Sequence, residues 1–472
     1  MDSYDKFKEQ IKLAAEEFKK IDKNETIRLI SHLDADGISA AAIFIKMLNN
    51  ENRKYSLSII QQLNHDVLDE LKLEKHKYFV FTDLGCGTLS GMGDKLKDRK
   101  IFVLDHHNPE EVDVPENVVA VNPHYFDIDG GKEISGAGVT YLFCRAVDEK
   151  IEDFAHIAVI GAIGDIQEQG GFLRLNEEIK QTAIKRKKLE VRIGLRLFGA
   201  QTRPLHKALE YCTDPYIPGV SGSESGAVQF LYQIGIEPKT GNKWKKAVYL
   251  DEDDMKKLVT GIVMRRLGES TPEDVLGDVY LLTKEKEESP TKDAKEFATL
   301  LNACGRMGKA SLGIGACLGD EKIMAKALRN LIDYRKQIIN AINWYYDNKK
   351  SKHIMKGEGF TIINARDQVM PTIIGTLASI LSKSNGFDGD TYILSLAQVL
   401  DGTTKVSIRF AGRKDDLDLR EVINSITNGI DGCESGGHHF AAGALIPTAK
   451  EGEFLESAKN HLGKIGLEEN VG

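Results

Sequence analysis

Four apolar segments of this chain stop on aspartate or histidine, and that pattern restricts the folds open to it. Thr26–Ile30 runs into His32, Asp34 and Asp36, and Tyr78–Phe81 into Asp83. Ile101–Leu104 ends on Asp105, His106 and His107, and Phe154–Ile163 on Asp165. Short apolar runs rich in β-branched and aromatic residues read as buried parallel strands. Between them lie segments with helical spacing, such as Ile38–Leu48 and a helix opened by Ser135-Gly-Ala-Gly138. A leading amphipathic helix is expected over residues 5–21 from Phe7, Ile11, Ala14, Ala15, Phe18 and Ile21. Alternating strand and helix predicts an α/β domain, a mostly parallel sheet with helices on both faces. Ligands bind such sheets at the carboxyl ends of the strands, so the four motifs are expected to meet at one edge.

A chain of 472 residues is too long for one ordinary core. Residues 1–200 read as the α/β domain. Within 177–200, Lys185–Lys188, Arg192 and Arg196 predict a basic helical face. Residues 201–290 carry Pro, Gly and Ser turns and then polar helices, as expected of an inserted or peripheral subdomain. Residues 291–350 hold the remainder of the first domain and a helical connector, Ile323–Lys349. Residues 351–472 form a second, smaller α/β unit whose Gly436–Gly443 patch reads as a sterically open loop.

The net charge of -8 does not advertise a nucleic-acid binder, although a local basic groove is enough for one. The six cysteines are scattered without a Cys-x-x-Cys pair, which predicts reduced thiols and no zinc framework. The N-terminus has no signal-peptide core, and no apolar run approaches the roughly 20 residues of a membrane span. A cytoplasmic protein is expected.

Carboxylates mixed with imidazole and lacking thiolate suit Mn²⁺ or Mg²⁺. Any single aspartate here has a plain alternative as a helix cap or loop residue. Several gathered on one edge would repel unless cations neutralised them. Two divalent ions, typically about 4 Å apart, would do so, and would activate a water and polarise a phosphoryl group. Side chains at 105–107 point alternately to opposite faces, so only part of that triplet can share one ion.

The motifs His32-x-Asp34-x-Asp36-Gly, Asp83, Asp105-His-His107, Gly161-x-x-Gly-Asp165 and Gly436-Gly-His-x-x-Ala-Ala-Gly443 resemble those of the DHH phosphoesterase superfamily with its DHHA1 domain. They occur in the family's order and leave only about 201–290 outside. The length, that insertion and Leu301-Asn-Ala-Cys-Gly-Arg-Met-Gly308 are most similar to archaeal RecJ-like nucleases, near the GINS-associated nucleases of Thermococcales. The resemblance implies one Mn²⁺ held by His32, Asp34 and Asp83. It implies a second held by Asp36, Asp83, His106 and Asp165, with Mg²⁺ as the other candidate ion. His107 would face the scissile phosphate, and Asp105 would orient a histidine. Gly436, Gly437 and His438 would contact a phosphate or the terminal nucleotide, with Arg409 and Arg413 as phosphate clamps. Asn302 and Arg306 are further substrate candidates, and His124 and the Ser135–Gly138 turn lie near the expected site.

The activity implied is a Mn²⁺-dependent exonuclease on single-stranded nucleic acid. It would digest DNA 5′→3′, with RNA also open, and have the GINS complex as a partner. One rival is a scaffold, since DHH relatives serve as structural parts of the eukaryotic replicative helicase. Another is a phosphoesterase acting on dinucleotides or short oligonucleotides. A scaffold need not keep the whole ligand set, and this chain has it complete.

Overall fold

The computed structural model describes residues 2–469, apart from 213–214, 270, 385–386, 388–389 and 413–416, and describes only the backbone of His438 and 466–469. The chain divides into two compact units, Met1–Leu331 and Ile332–Gly472.

In the first unit, α1 (Ser3–Lys19) is capped by the Asp2 carboxylate and buries Phe7, Ile11, Ala14, Ala15 and Phe18. That is the apolar stripe of a helix with 3.6 residues per turn. β1 (Ile27–His32) passes through Leu33 and Asp34 into α2 (Ala35–Asn50). There follow β2 (Tyr55–Ile60), α3 (His65–Leu73), β3 (Tyr78–Thr82), α4 (Leu89–Lys95), β4 (Lys100–Leu104) and β5 (Val118–Val121). The five strands form a parallel sheet ordered β2-β1-β3-β4-β5.

Alternate strand residues face opposite layers, as the pleat requires. Phe79, Phe81, Ile101 and Val103 pack with Leu68, Leu71, Leu89 and Met92 of α3 and α4. On the other face Phe102 meets Phe18 of α1 and Phe143 of α5 (Gly136–Val147). The sheet therefore carries helices on both faces. Its register sets Ser31, Thr82 and Leu104 level. His32 and the first residues after β3 and β4, Asp83 and Asp105, consequently lie along one edge. The strand order reverses between β1 and β3, where open α/β sheets place ligands.

The fourth motif segment departs from the expected strand. Phe154–Ile163 becomes helix α6 (Ala155–Gly164), with Ile157–Ile163 buried throughout. A continuous apolar run has no amphipathic period to separate a buried strand from a buried helix. Its alanines and its length favour the helix. Asp165 thus arrives from a helix C-terminus.

The expected basic helical face is also divided. α7 (Arg174–Lys185) ends, Lys187 turns the chain at φ 53°, and β6 (Leu189–Leu195) takes over. The alternation of Leu189, Val191 and Ile193 with polar residues is a strand period. Arg186 pairs with Glu152 and Arg192 with Glu190, so much of the positive charge is neutralised locally.

After β6 come α8 (Leu205–Glu210), α9 (Glu224–Gln233), the short ladder of β7 (Lys239–Thr240) and β8 (Lys243–Trp244), and α10 (Glu252–Arg265). β9 (Leu276–Leu282) then pairs antiparallel with β6. Leu205, Leu209, Ile217, Phe230, Leu231, Leu258 and Ile262 give the intervening segment its own core. α11 (Ala294–Arg306) and α12 (Ala310–Cys317) return to pack on α2. α13 (Glu321–Asp347) runs on through the boundary between the units.

The second unit holds β10 (Ile354–Gly357), β11 (Phe360–Asn364), α14 (Pro371–Ser382), β12 (Thr391–Gln398), β13 (Thr403–Ala411), α15 (Leu419–Thr427), β14 (Glu434–His438), β15 (Ala441–Pro447) and α16 (Glu451–Glu469). Its sheet is ordered β10-β11-β12-β13-β15-β14, and only β11 and β12 run parallel. Ile362, Leu394, Val406 and Ile408 pack against Leu419, Ile423, Ile426, Phe454 and Leu462. The patch at Gly436–Gly443 is an edge hairpin rather than an open loop. Gly436 pairs with Gly443 and His438 with Ala441, leaving His439 and Phe440 as the turn. A two-residue connection between pairing strands is the favoured hairpin geometry.

Among the described residues the six cysteines form no disulfide, and all but Cys433 are buried. Among the described residues no helix is long and apolar enough to cross a membrane.

Candidate metal centre

Asp34 caps α2, its Oδ1 accepting from Gly37 N at 3.0 Å. The cap fixes the turn between His32 and Asp36. Asp36 is fully buried and faces the first turn of α5. Its Oδ2 accepts from Gly136 N at 2.6 Å and its Oδ1 from Ala137 N at 3.1 Å. A carboxylate at a helix N-terminus satisfies two amides that have no partner inside the helix. The Ser135–Gly138 turn, expected near substrate, therefore serves Asp36. Gly136 is required there, because a Cβ would collide with Asp83 Oδ1. Asp83 takes the left-handed conformation at φ 60°, an uncommon backbone state for which aspartate is among the tolerated residues.

Distances show which residues meet. His32 Nδ1 lies 3.0 Å from Asp34 Oδ2 and 3.4 Å from Asp83 Oδ2. His106 Nε2 lies 3.3 Å from Asp83 Oδ1, 3.2 Å from Asp165 Oδ2 and 3.8 Å from Asp36 Oδ2. Ligand-atom groups close enough to share an ion are His32–Asp34–Asp83, Asp36–His106–Asp165 and Asp83–His106–His107. One oxygen of Asp83 faces each histidine cluster.

His32 Nδ1, both Asp83 oxygens and His106 Nε2 are buried and have no hydrogen-bond partner. Buried polar atoms are nearly always satisfied, so orphans converging on one point require an explanation. A pair of divalent cations supplies it, and the oxygen–imidazole donor set fits Mn²⁺ or Mg²⁺.

The electrostatics of the bare cluster agree. Burial, with Asp83 and Asp165 adding, drives the Asp36 carboxyl well above the usual range. Burial likewise carries Asp165 up to about 7 against the opposing pull of His106. Burial alone would depress His32 and His106, but neighbouring carboxylates overcome it and raise both. Asp34 falls despite burial, through His32 and the Gly37 amide. Without cations the site must hold protons to limit its charge.

The triplet after β4 divides its work. Asp105 is fully buried, and its Oδ2 accepts from Cys86 N at 2.8 Å. Its Oδ1 accepts from His106 N at 2.8 Å and His107 N at 3.2 Å, and sits 2.7 Å from His107 Nδ1. His106 is buried within the cluster, while His107 is half-exposed. Burial would lower His107, but the Asp105 charge wins and raises it. His124 Nε2 approaches the His106 carbonyl at 3.1 Å.

Residues 26–163 match the DHH family N-terminal domain, 197–279 the DHH-CID domain and 358–464 the DHHA1 domain. An uncharacterized protein of Methanocaldococcus jannaschii is 32% identical over 447 residues, 93% of each chain. This chain belongs to the DHH family. A Bacillus subtilis protein, provisionally assigned as a prophage-derived single-strand DNA-specific exonuclease, is 38% identical over 141 residues, 28% of this chain and 24% of that one. The fold matches RecJ of Thermus thermophilus in complex with Mn²⁺, with TM-score 0.59, 16% identity and coverage of 96% of this chain and 55% of that one. It also matches CDC45 of Entamoeba histolytica, with TM-score 0.61, 10% identity and 97% of both chains. At such identities the two structures show a shared fold. The DHH-CID match lies in the segment that carries none of the shared motifs.

Asn302 Oδ1 accepts from Ala35 N at 3.1 Å, so Asn302 pins the turn that carries the ligands. Arg306 closes α11 one turn later. Arg409 spends its guanidinium inside the second unit, donating to Ser379 Oγ at 2.9 Å and to the Ile408 carbonyl at 2.7 Å. It is thus no ready phosphate fork. Gly436 and Gly437 are exposed on the edge strand. Arg413 and the side chain of His438 lie outside the described residues. Sequence reasoning missed the amides of Cys86, Gly136 and Ala137, since a backbone donor leaves no residue-type signal. It also missed Gln167, which stands two residues after Asp165.

Proposed function

We propose that this chain is a two-metal phosphodiesterase that shortens single-stranded nucleic acid from an end, with Mn²⁺ or Mg²⁺ as cofactor. The observation that carries the reading is the convergence of buried, unpartnered His32, Asp83 and His106 atoms between two carboxylate clusters. Bound there, a cation pair would activate a water and polarise the phosphoryl oxygen. His32, Asp34 and Asp83 would hold one ion, and Asp36, Asp83, His106 and Asp165 the other. Asp105 locks His107 through two contacts, presenting a half-exposed ring as an electrostatic stabiliser for the phosphate. The exposed Gly436–Gly437 strand has backbone amides that a phosphate can approach closely.

Digestion 5′→3′ and a preference for DNA rest on the RecJ resemblance. So does GINS as a partner, with the DHH-CID segment as its docking surface. Digestion of 5′- and 3′-end-labelled DNA and RNA in Mn²⁺ tests activity, polarity and sugar together. Mononucleotides should appear first from 5′-labelled single-stranded DNA. Hydrolysis confined to dinucleotides would move the substrate to the small-molecule class.

A second reading, a scaffold, is favoured by the CDC45 fold match over both whole chains. It would leave the carboxylate cluster without a task. Absence of hydrolysis from every labelled substrate, with cations bound, would select it.

A further inference from the structure

We propose that Gln167, held by Asn176, is a positioning residue that fixes the ring of His106 for its cation. The proposal rests on the two-cation reading. His106 Nδ1 lies 2.7 Å from the Gly130 carbonyl oxygen. A carbonyl only accepts, so Nδ1 carries a proton and Nε2 is the atom left to face Asp83 and Asp165 and to serve as the lone pair for a cation. Gln167 Nε2 donates to the same carbonyl at 3.0 Å. Asn176 Nδ2 in turn donates to Gln167 Oε1 at 2.7 Å. Asn176 itself is anchored by its own amide, which donates to the Glu133 carbonyl at 3.0 Å. The three polar side chains are nearly inaccessible, at 2%, 6% and 3% exposure for His106, Gln167 and Asn176.

The chain of donors runs one way, which fixes the amide orientations. Reversing Gln167 would set its oxygen against the Gly130 oxygen. Only glycine fits at 130, because a Cβ there would run into the His106 carbonyl. The ring is thus gripped at Nδ1 by an oxygen that is itself held from behind.

A second observation ties Gln167 to the same ion. Ile166 sits between Asp165 and Gln167 at φ 63°. A β-branched residue in the left-handed region is a genuine outlier, and such strain persists where surrounding structure imposes it. The turn lets consecutive residues diverge. Ile166 points out, 57% exposed, while Asp165 reaches His106 and Gln167 reaches the carbonyl behind it. One strained residue therefore sets a ligand and the support of a second ligand.

The test uses the full chain and Mn²⁺ alone. Gln167→Met keeps the length and removes both hydrogen bonds. Asn176→Asp keeps the shape and removes the donor. Bound Mn²⁺ is counted by the loss of the free-ion electron paramagnetic resonance signal. Gln167→Met should weaken one of the two ions by about 10–100-fold, the usual effect of removing a group that orients a ligand. Asn176→Asp should weaken the same ion by a smaller factor. Melting in EDTA should remain a single cooperative transition, lowered by the buried polar group each change leaves unpaired. Excess Mn²⁺ should restore turnover, raising the concentration for half-activity without lowering kcat, which general structural damage would not do. Parental affinity in a folded Gln167→Met overturns the positioning role and leaves the two-cation reading intact. A parent chain that binds no Mn²⁺ overturns both. Should Gln167→Met not fold, Asn176→Asp carries the same comparison, and unchanged affinity there is equally fatal.

Discussion

The two units solve opposite problems at the ends of their sheets. In the first, parallel strands gather carboxylates at a buried edge, where they repel and must be neutralised. In the second, an antiparallel hairpin shows water a run of glycines, an exposed aromatic ring and neutral backbone. Function in the first region is therefore stored as instability, and removing a charge there should free the fold while ending the chemistry. The binding role proposed for the second would cost the fold little, so changes there should touch binding alone.

The largest effect should come from Asp83→Ala, which removes the oxygens facing both histidine clusters. Hydrolysis should fall to background while the far-ultraviolet circular dichroism spectrum is unchanged. Retained Mn²⁺-dependent turnover would break the assignment of a shared ligand.

Next is Asp165→Asn, which should also end turnover but raise stability in EDTA. The sign follows from the raised carboxyl at about 7. An aspartate whose folded value exceeds its unfolded one of roughly 4 weakens the fold as pH rises between the two. The variant should gain roughly 1–3 kcal/mol over the parent at pH 8, with the gap closing toward pH 4. An equal gap at both pH values in urea titrations would show that charge repulsion is not its cause.

Asp105→Asn should come third. It keeps the shape but weakens the grip on His107, costing about 10–100-fold in kcat at saturating Mn²⁺. Smallest is Phe440→Ala in the hairpin turn. Phe440 is 73% exposed, so stability should move by less than about 0.5 kcal/mol. KM for oligonucleotides should rise several-fold with kcat unchanged on a small phosphodiester. A shift in melting temperature would contradict the division between the two units.

The sequence made much of the first region legible because its signal is periodic. Apolar strands ending at Thr82 and Leu104 announce both the sheet and the edge where Asp83 and Asp105 emerge. Phe154–Ile163 was ambiguous because uniform burial erases the period. Asn302 and Arg409 looked available because side-chain type does not reveal a backbone partner, and each has one. Gln167 was silent for the same reason, since its importance lies in a carbonyl contributed by a distant glycine.

The ladder of β6 and β9 ends with Leu195 opposite Leu276. The segment between them departs from the ladder and returns to it at neighbouring points, like a drawer on a single rail. Exchanging residues 196–275 for a two-residue turn would join the rails as a hairpin and keep the ladder whole. An excision spanning 201–290 would instead take β9 with it and leave β6 as an unpaired edge. Experiments that assign partners to this segment should cut at the rail's end, where the loss of a partner and the loss of a strand can be told apart.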